Sequence, residues 1–209
     1  SLDHVSFSYD KKPILQDVSV CIPDQTTTAI VGPSGSGKTT LCHLIARFWD
    51  VDRGAITVGG KDIREYTLES LMDQISMVFQ NVYLFADTIE NNIKFGRPEA
   101  SHKEVVAAAK KACCHDFIEA LPEGYKTVIG EGGATLSGGE KQRISIARAI
   151  LKDAPIIIFD EATANVDPEN EDKLQKAMEE LMRNKTIIMI AHRLKTVEHA
   201  DQILVLDQG

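Results

Sequence analysis

The sequence contains one pattern that is specific for binding a chain of phosphates, G-x-x-x-x-G-K-[ST] over residues 32–39. Glycines at this spacing let successive backbone N–H groups face the phosphates, and a helix that starts at the loop adds positive potential. Lys38 is expected to reach the terminal phosphates, and the Thr39 hydroxyl to ligate Mg²⁺. A dinucleotide-binding loop is excluded because Thr40 stands where the third glycine of that motif belongs. The candidate phosphate-binding residues are therefore Gly32, Pro33, Ser34, Gly35, Ser36, Gly37, Lys38, Thr39 and Thr40.

Two adjacent carboxylates follow the apolar run PIIIF at residues 155–159. Asp160, at the end of this predicted strand, is placed to hold the Mg²⁺ shell, and Glu161 to accept a proton from an attacking water. The alternative is a pair of solvated acids where a strand leaves its sheet. The Asn-Lys-x-Asp motif of guanine recognition is absent from the sequence, because the run NKTI at 184–187 lacks the aspartate. ATP is therefore the favoured nucleotide.

A second helix start that suits anions is predicted in the stretch TLSGGEKQRISIARAI, residues 135–150. Ser137 and Glu140 form the S-x-x-E pattern of a capping box, with two glycines between them. The stretch lies far beyond the phosphate loop in the chain. The spacing alone leaves open which anion this helix start would meet.

Composition excludes several classes of protein. The chain has 209 residues with 23 Lys and Arg against 31 Asp and Glu, and its net charge of −8 disfavours binding to long nucleic acids. Its apolar runs fall far short of the ~20 residues needed to cross a bilayer, and the start of the chain does not resemble a signal peptide. The four cysteines and six histidines show no disulfide or metal-ligand spacing, which favours a reducing cytosol.

A predicted α/β fold positions these motifs. Alternating residues predict antiparallel strands, and runs apolar enough to be buried on both faces predict central parallel strands. The antiparallel runs are VSFSY, VSVCI and AITVG, and the parallel runs are TTTAIV, ISMVF, PIIIFD, TIIMIA and QILVLD. Helical spacing predicts helices over 39–48, 104–121, 137–152 and 170–182. We expect a single domain over 1–209, with a mostly helical lobe inserted at about 81–145.

The phosphate loop, the stretch LSGGE and the strand that ends in two acids together resemble the nucleotide-binding domain of ATP-binding cassette (ABC) proteins, whose signature is Leu-Ser-Gly-Gly-Gln. The resemblance covers nearly the whole chain and implies a P-loop NTPase fold with a mostly parallel core sheet, an N-terminal antiparallel β subdomain and an inserted helical subdomain. Further positions match an adenine-stacking aromatic, a glutamine after a core strand, a loop after the catalytic acid and a histidine ending a strand: Tyr9, Gln80, Asp167 and His192. Tyr9 shares a strand face with Val5 and Phe7, so a core position is its alternative.

In this family two domains pair head to tail, and each ATP lies between the phosphate loop of one domain and the signature helix of the other. The resemblance therefore implies that Ser137, Gly138 and Gly139 meet the γ-phosphate of an ATP held by a second nucleotide-binding domain. It does not distinguish a homodimer from a heterodimer.

The resemblance also implies chemical roles. The implied catalytic residues are Glu161, His192, Gln80 and Lys38. The implied Mg²⁺ ligands are Thr39, Gln80 and Asp160. Asp167 is implied to line the interface between the two domains.

Two further stretches resemble exporters rather than importers. Residues 80–96, QNVYLFADTIENNIKFG, resemble the segment that meets the coupling helices of transmembrane domains, and residues 127–133, TVIGEGG, resemble the loop before the signature. The alternative for the apolar residues Val82, Tyr83, Leu84 and Phe85 is local core. The chain departs from the family at Glu140, where glutamine is usual, at the loop Ala-Asn-Val-Asp, and at Gly132, where exporters often have arginine.

These features predict an ATPase domain that powers export, attached to the cytoplasmic face of the cell membrane through transmembrane domains. Because the chain starts without Met and ends at LVLDQG, we expect a domain excised from a longer polypeptide. The transported substrate cannot be read from it. One alternative is a soluble ABC-type ATPase of DNA repair or translation, but the expected coiled coil or zinc module is absent from the sequence. The other is a P-loop small-molecule kinase, which would leave LSGGE without a purpose.

Overall fold

The computed structural model describes residues 1–79, 81–130, 135–160, 168–191 and 197–209, and only the backbone of 168–170. In chain order the strands are β1 (Leu2–Tyr9), β2 (Lys12–Val20), β3 (Thr27–Val31), β4 (Arg53–Val58), β5 (Lys61–Asp62), β6 (Ile75–Phe79), β7 (Asp87–Thr88), β8 (Val128–Ile129), β9 (Ile156–Asp160), β10 (Thr186–Ile190) and β11 (Gln202–Val205). The α-helices are α1 (Lys38–Ile45), α2 (Leu68–Gln74), α3 (Ile89–Lys94), α4 (His102–Lys111), α5 (His115–Glu119), α6 (Gly138–Lys152) and α7 (Pro168–Met182), and short 3-10 helices cover Ile63–Glu65 and Gly124–Lys126.

The described residues form two compact units, and each unit is made of more than one segment of the chain. The first takes its residues from Ser1–Ile75, Pro155–Glu161 and Lys185–Gly209. The second takes its residues from Ser76–Ala154 and Ala162–Asn184. The helical lobe predicted at about 81–145 stays a prediction as far as its limits are concerned.

An antiparallel sheet in the order β2-β1-β4-β5 belongs to the first unit. The hairpin between β1 and β2 turns at Asp10 and Lys11, whose φ angles of 44° and 70° are those a two-residue type I′ turn needs. Along β1, apolar residues alternate with polar ones, and Val5 and Phe7 are 0% and 5% exposed. The antiparallel strands predicted at VSFSY and AITVG are confirmed, whereas the strand predicted at VSVCI, residues 18–22, begins earlier, at Lys12, and ends at Val20.

Parallel strands in the order β11-β3-β10-β9 also belong to the first unit. Asp160 at the end of β9 is the Cα partner of Ile190 in β10, which is in turn the partner of Ile30 in β3. The carboxyl ends of these strands therefore share one sheet edge. The prediction that QILVLD is buried on both faces is wrong, because β11 is the outermost strand in this order and Ile203 and Val205 are 50% and 67% exposed.

The second unit is built mainly from helices. α6 packs against α3, α4 and α7, and a short antiparallel pair, β7 and β8, belongs to the same unit. The helix predicted at 170–182 is present as α7, which begins at Pro168. Its predicted core residues are all buried: Leu174, Ala177, Met178 and Leu181.

Two helix ends differ from the prediction. Residues 104–121 do not form one helix, because Cys113 adopts a φ of 53° between α4 and α5 and the Cys114 N–H donates to the Ala109 carbonyl five residues back. Likewise α1 stops at Ile45 instead of residue 48, because Arg47 has a φ of 55° and the next N–H donates five residues back. Both ends have the Schellman hydrogen bond of a helix C-terminus, formed without the glycine that usually marks it.

Within the described parts of the chain, no helix has the length and apolar composition required to cross a membrane. The same residues contain no cluster of three or more His, Cys, Asp and Glu arranged to hold a metal ion. All four cysteines are free thiols.

Candidate functional site

The phosphate loop leaves β3 and enters α1, which is the structural context that its motif requires. Gly32 lies so close to the backbone of Leu206 that a Cβ on it would be 2.0 Å from that carbonyl oxygen. At the other end of the loop, Gly37 caps α1 with a φ of 100°, and a Cβ there would be 2.7 Å from Cδ2 of Leu15. Glycine is therefore required at both ends of the loop, for space and for backbone conformation.

Two polar side chains, Lys38 and Ser36, are buried inside the loop. Lys38 is only 6% exposed, and its Nζ donates to the carbonyl oxygens of Gly32 and Pro33 at 2.9 and 2.7 Å. Ser36 is 4% exposed, and its Oγ has no hydrogen-bond partner among the described residues. Leaving a buried hydroxyl unpaired costs about 1–3 kcal/mol, so an acceptor entering the loop would relieve this cost.

A cleft of about 270 Å³ opens beside the phosphate loop. One wall is the loop and the start of α1, and the other is the beginning of β2. The lining residues are Gly35, Gly37, Lys38, Thr39 and Thr40 on the first wall and Lys12 and Ile14 on the second. A Cβ on Gly35 would meet nothing within 4 Å, so the loop backbone faces open space. The loop residues were predicted, whereas Lys12 and Ile14 were not, although the period-2 alternation of β2 places both on one face.

Tyr9 belongs to a cluster of aromatic rings at the β1–β2 hairpin. Its ring centroid lies 4.8 Å from that of Phe7 and 5.6 Å from that of Trp49, edge to face in both pairs. Tyr9 is half-buried and Trp49 is 52% exposed, so the cluster keeps an accessible side. Tyr9 is the Cα partner of Lys12 across the hairpin, which brings the ring close to the wall of the cleft. Trp49 was not predicted, because no sequence pattern distinguishes it.

Asp160 ends β9 at the sheet edge from which the phosphate loop leaves β3. Neighbouring strands lie about 4.8 Å apart, so the Cα of Asp160 is about 10 Å from that of Ile30, two residues before the loop. Burial, and then the negative charge of Asp160, raise the pKa of the Cys42 thiol in α1. The carboxylate therefore acts electrostatically on the helix that follows the loop. In parallel sheets this edge is where ligands bind.

The helix start at Ser137 has the predicted capping box. Ser137 Oγ accepts a hydrogen bond from the Glu140 N–H at 3.3 Å, and Glu140 Oε2 accepts one from the Ser137 N–H at 2.7 Å. Ser137 and Gly138 are exposed, and a Cβ on Gly138 would meet nothing within 4 Å. The positive end of the α6 dipole is thus accessible to an anion.

Further along α6, a buried amide connects this helix to the end of β6. Gln142 is 4% exposed, and its Nε2 donates to the Phe79 carbonyl oxygen at 3.4 Å. That carbonyl belongs to the peptide bond that leads into Gln80. Gln142 was not predicted, because a single glutamine within a helix forms no sequence pattern of its own.

Three exposed aromatic residues in the second unit form what we term the aromatic surface: Tyr83, Phe85 and Phe95, which are 72%, 36% and 62% exposed. The ring centroid of Phe85 lies 5.2 Å from that of Tyr83 and 4.6 Å from that of Phe95. The Arg148 guanidinium lies 5.7 and 5.5 Å from the Phe85 and Phe95 rings, and its Nε donates to the Asn92 carbonyl at 2.8 Å. A place in the local core, the alternative for Tyr83, is therefore wrong.

Several predicted site residues lie outside the described part of the chain: Gln80, Glu161, Asp167 and His192. The same holds for Gly132, where the sequence departs from exporters. Their roles stay predictions.

The chain is similar in sequence to proteins of one family. The family model described as "ABC transporter" matches residues 15–164. An ATP-dependent lipid A-core flippase of Desulfotalea psychrophila is 53% identical over 205 residues, covering 98% of this chain and 36% of the relative. A putative multidrug export ATP-binding/permease protein of Bacillus subtilis is 50% identical over 208 residues, covering 99% of this chain and 36% of the relative.

A solved structure gives the same match in three dimensions. A bacterial Atm1-family ABC exporter with ATP bound matches with a TM-score of 0.92 and 47% sequence identity, covering 100% of this chain and 36% of that chain. The chain thus spans about a third of the length of these relatives. With the phosphate loop, the sheet edge and the capped helix start in place, the chain belongs to the ABC transporter family and is an ATP-binding ATPase domain of that family.

Proposed function

We propose that this domain hydrolyses ATP between two nucleotide-binding domains and that the resulting cycle of closure and opening powers export across a membrane. The observation that carries the proposal is the shared sheet edge, where the phosphate loop follows β3 and Asp160 ends β9 two strands away.

The loop fits a polyphosphate. Lys38 already points its ammonium into the loop, and the buried Ser36 hydroxyl has no partner among the described residues. We assign the phosphates of ATP to the loop backbone and Lys38, and the adenine to the ring of Tyr9. The half-buried Tyr9 beside the exposed Trp49 supports this place for the base.

The donor set also fits Mg²⁺, a cation that prefers oxygen ligands and retains some of its waters. The Thr39 hydroxyl, the Asp160 carboxylate and the amide of Gln80 are the groups that would hold the ion. Bound there, Mg²⁺ would neutralise charge on the outer phosphates. Thr39 is exposed beside the cleft and Asp160 is only half-buried at the sheet edge, which supports their assignment to the ion.

Glu161 follows Asp160 directly and is assigned as the general base. It takes a proton from a water whose oxygen attacks the γ-phosphorus, and the bond between that phosphorus and the oxygen of the β-phosphate breaks to release ADP and phosphate. Gln80 and His192 orient the water and the γ-phosphate. These roles come from the resemblance to the family.

The capped start of α6 is assigned to an ATP held by a second domain. Ser137, Gly138 and Gly139 offer a hydroxyl and backbone N–H groups to its γ-phosphate, and Asp167 lines the interface. The exposure of Ser137 and Gly138 supports this role, whereas Gly139 is buried. Because ADP lacks the γ-phosphate, hydrolysis removes the link between the two domains and favours their separation.

We infer that the aromatic surface is where transmembrane domains dock, on the cytoplasmic face of the membrane. Exposed apolar patches of this kind mark interaction sites, and Arg148 fixes the geometry of this patch. The relatives named as a lipid A-core flippase and a multidrug exporter support export. They give no support to a soluble machine of DNA repair or translation, or to a kinase.

Phosphate release from ATP, measured with no acceptor added, tests the assignment of the loop. The wild-type domain should turn over, whereas Lys38→Ala should lose at least about tenfold in ATP affinity, since a charged hydrogen bond contributes about 1.5–3 kcal/mol. Lys11→Ala, which removes an equal charge from the nearby hairpin turn, is the matched control and should bind ATP tightly. Unchanged ATP affinity in Lys38→Ala would refute the assignment.

A further inference from the structure

Lys12 lies on the wall of the proposed nucleotide cleft that is opposite the phosphate loop, and it is not part of the phosphate-loop motif. It is the first residue of β2 and lines the same cleft as Gly35, Lys38 and Thr39. The tight turn at residues 10–11 places it there, because a two-residue type I′ turn fixes which residue begins the second strand.

The charge of Lys12 is available to a ligand. The side chain makes no ion pair within the part of the chain that the structure describes. Lys38, by contrast, is buried and bonded to loop carbonyls. In a chain with a net charge of −8, an ammonium at the rim of an anion site offsets the repulsion that the whole protein exerts on a nucleotide.

The neighbours of Lys12 indicate which part of the nucleotide it meets. It is the Cα partner of Tyr9, and residues paired in this way lie about 4.5–5.5 Å apart. It lines the same cleft as Thr40, which follows Lys38 and Thr39 in α1, the two residues assigned to the outer phosphates and to Mg²⁺. Lys12 thus lies between Tyr9, the proposed adenine platform, and the phosphate loop, where the innermost phosphate of a bound nucleotide would lie.

We propose that Lys12 is an additional nucleotide-binding residue, whose ammonium contacts the α-phosphate region common to ATP and ADP. This inference rests on the proposed function, since it places the nucleotide in this cleft. It differs from the assignment of Lys38, because loss of Lys12 affects both nucleotides equally. It is also electrostatic in origin, so added salt weakens it.

Calorimetric titration of the intact domain with ATP and with ADP tests this inference. At low salt, Lys12→Gln should weaken binding of both nucleotides by the same factor, about three- to fivefold, which is the upper part of the range expected of a partly solvated charge contact. At 0.5 M salt the loss should shrink to below about twofold, because the Debye length falls well under 10 Å. Lys12→Arg should restore binding at low salt.

Lys11→Gln is the matched control, because it removes the same charge from the adjacent turn position, which does not line the cleft. It should bind both nucleotides within about twofold of wild type, since an exposed charge outside the cleft is screened. Thermal unfolding of each variant without nucleotide separates a binding defect from a folding defect.

Three results would overturn the inference. Lys12→Gln could bind as tightly as wild type, could match Lys11→Gln, or could lose affinity to the same extent at both salt concentrations, which would indicate a structural defect of the hairpin. In each of these cases wild type still binds ATP and the proposed function stands. If wild type binds neither nucleotide, the proposed function fails and the role of Lys12 fails with it.

Discussion

The two capping boxes of the second unit allow the proposed role of Ser137 to be separated from its structural role. Ser137 caps α6 together with Glu140, and Ser101 caps α4 with the same pattern together with Glu104. The cap hydrogen bonds are alike, 3.3 Å at Ser137 and 3.4 Å at Ser101. Ser101 therefore provides an internal control for the removal of a cap.

In the absence of nucleotide, Ser137→Ala and Ser101→Ala should destabilise the domain to a similar extent. Loss of a serine cap costs about 1 kcal/mol of unfolding free energy, which lowers the melting temperature by about 2–4 °C in a domain of this size. Ser137→Gly should cost only a few tenths of a kcal/mol, because glycine is itself an acceptable N-cap. Thermal unfolding followed by circular dichroism measures all three.

With ATP, the variants should diverge. All variants are combined with Glu161→Gln, which prevents hydrolysis. Ser101→Ala should then dimerise as tightly as Glu161→Gln alone. Ser137→Ala and Ser137→Gly should dimerise more weakly, because each loses a hydrogen bond to the γ-phosphate at both ATP sites of the dimer. At about 1.5 kcal/mol per charged hydrogen bond, the dimer loses about 3 kcal/mol, which raises its Kd by about a hundredfold. Light scattering coupled to gel filtration over a range of protein concentrations measures this Kd. Equal dimerisation of all variants, or equal loss in Ser101→Ala and Ser137→Ala, would refute the reasoning.

Three further predictions concern other parts of the domain. Glu161→Gln should bind ATP but hydrolyse it at least about a hundredfold more slowly, because the attacking water loses its general base. Phosphate release at the wild-type rate would exclude this role. Arg148→Met should lower the free energy of unfolding by about 1–3 kcal/mol, because the Asn92 carbonyl loses a charged partner. It should also increase the binding of a hydrophobic dye, because the guanidinium no longer lies over the Phe85 and Phe95 rings. Unchanged denaturant midpoints would count against this network. Burial raises the pKa of Cys42 and raises that of Cys114 to about 12, so folding favours the neutral thiols. Their stabilising contribution is then complete below the unfolded pKa of about 8.5 and is lost as pH rises through the folded values. A thiol reagent at pH 8 should modify Cys21 before either of them, and rapid labelling of Cys114 in the native domain would contradict its burial.

The sequence was sufficient to predict those parts of the fold where a single physical rule dominates. Alternation predicted β1, because Val5 and Phe7 on one face of that strand are buried. The phosphate loop was predicted from its motif, and the space around Gly32 and Gly37 explains why the motif requires glycine there. The capping box at Ser137 was likewise predictable, since both of its hydrogen bonds form between residues three apart.

Other features depended on interactions that a local pattern does not contain. The break at Cys113 was missed because its left-handed conformation is stabilised by a backbone hydrogen bond and not by a glycine. The exposed face of β11 depends on which strands flank it, and this is a property of the whole sheet. Lys12 was missed for a similar reason, because only the folded hairpin brings it to the phosphate loop.

The central claim, that each ATP is bound by the phosphate loop of one domain and the α6 start of another, is tested most directly by mixing two inactive variants. Lys38→Ala removes the phosphate-binding ammonium of the loop. Ser137→Arg blocks the start of α6 without altering the loop of the same chain. A mixed dimer contains one site with both defects and one site with neither. If half of the pairs are mixed, phosphate release should rise from near zero for each variant alone to about a quarter of the wild-type rate. A mixture as inactive as its separate components would contradict the claim, because a site completed within a single chain cannot be restored by mixing.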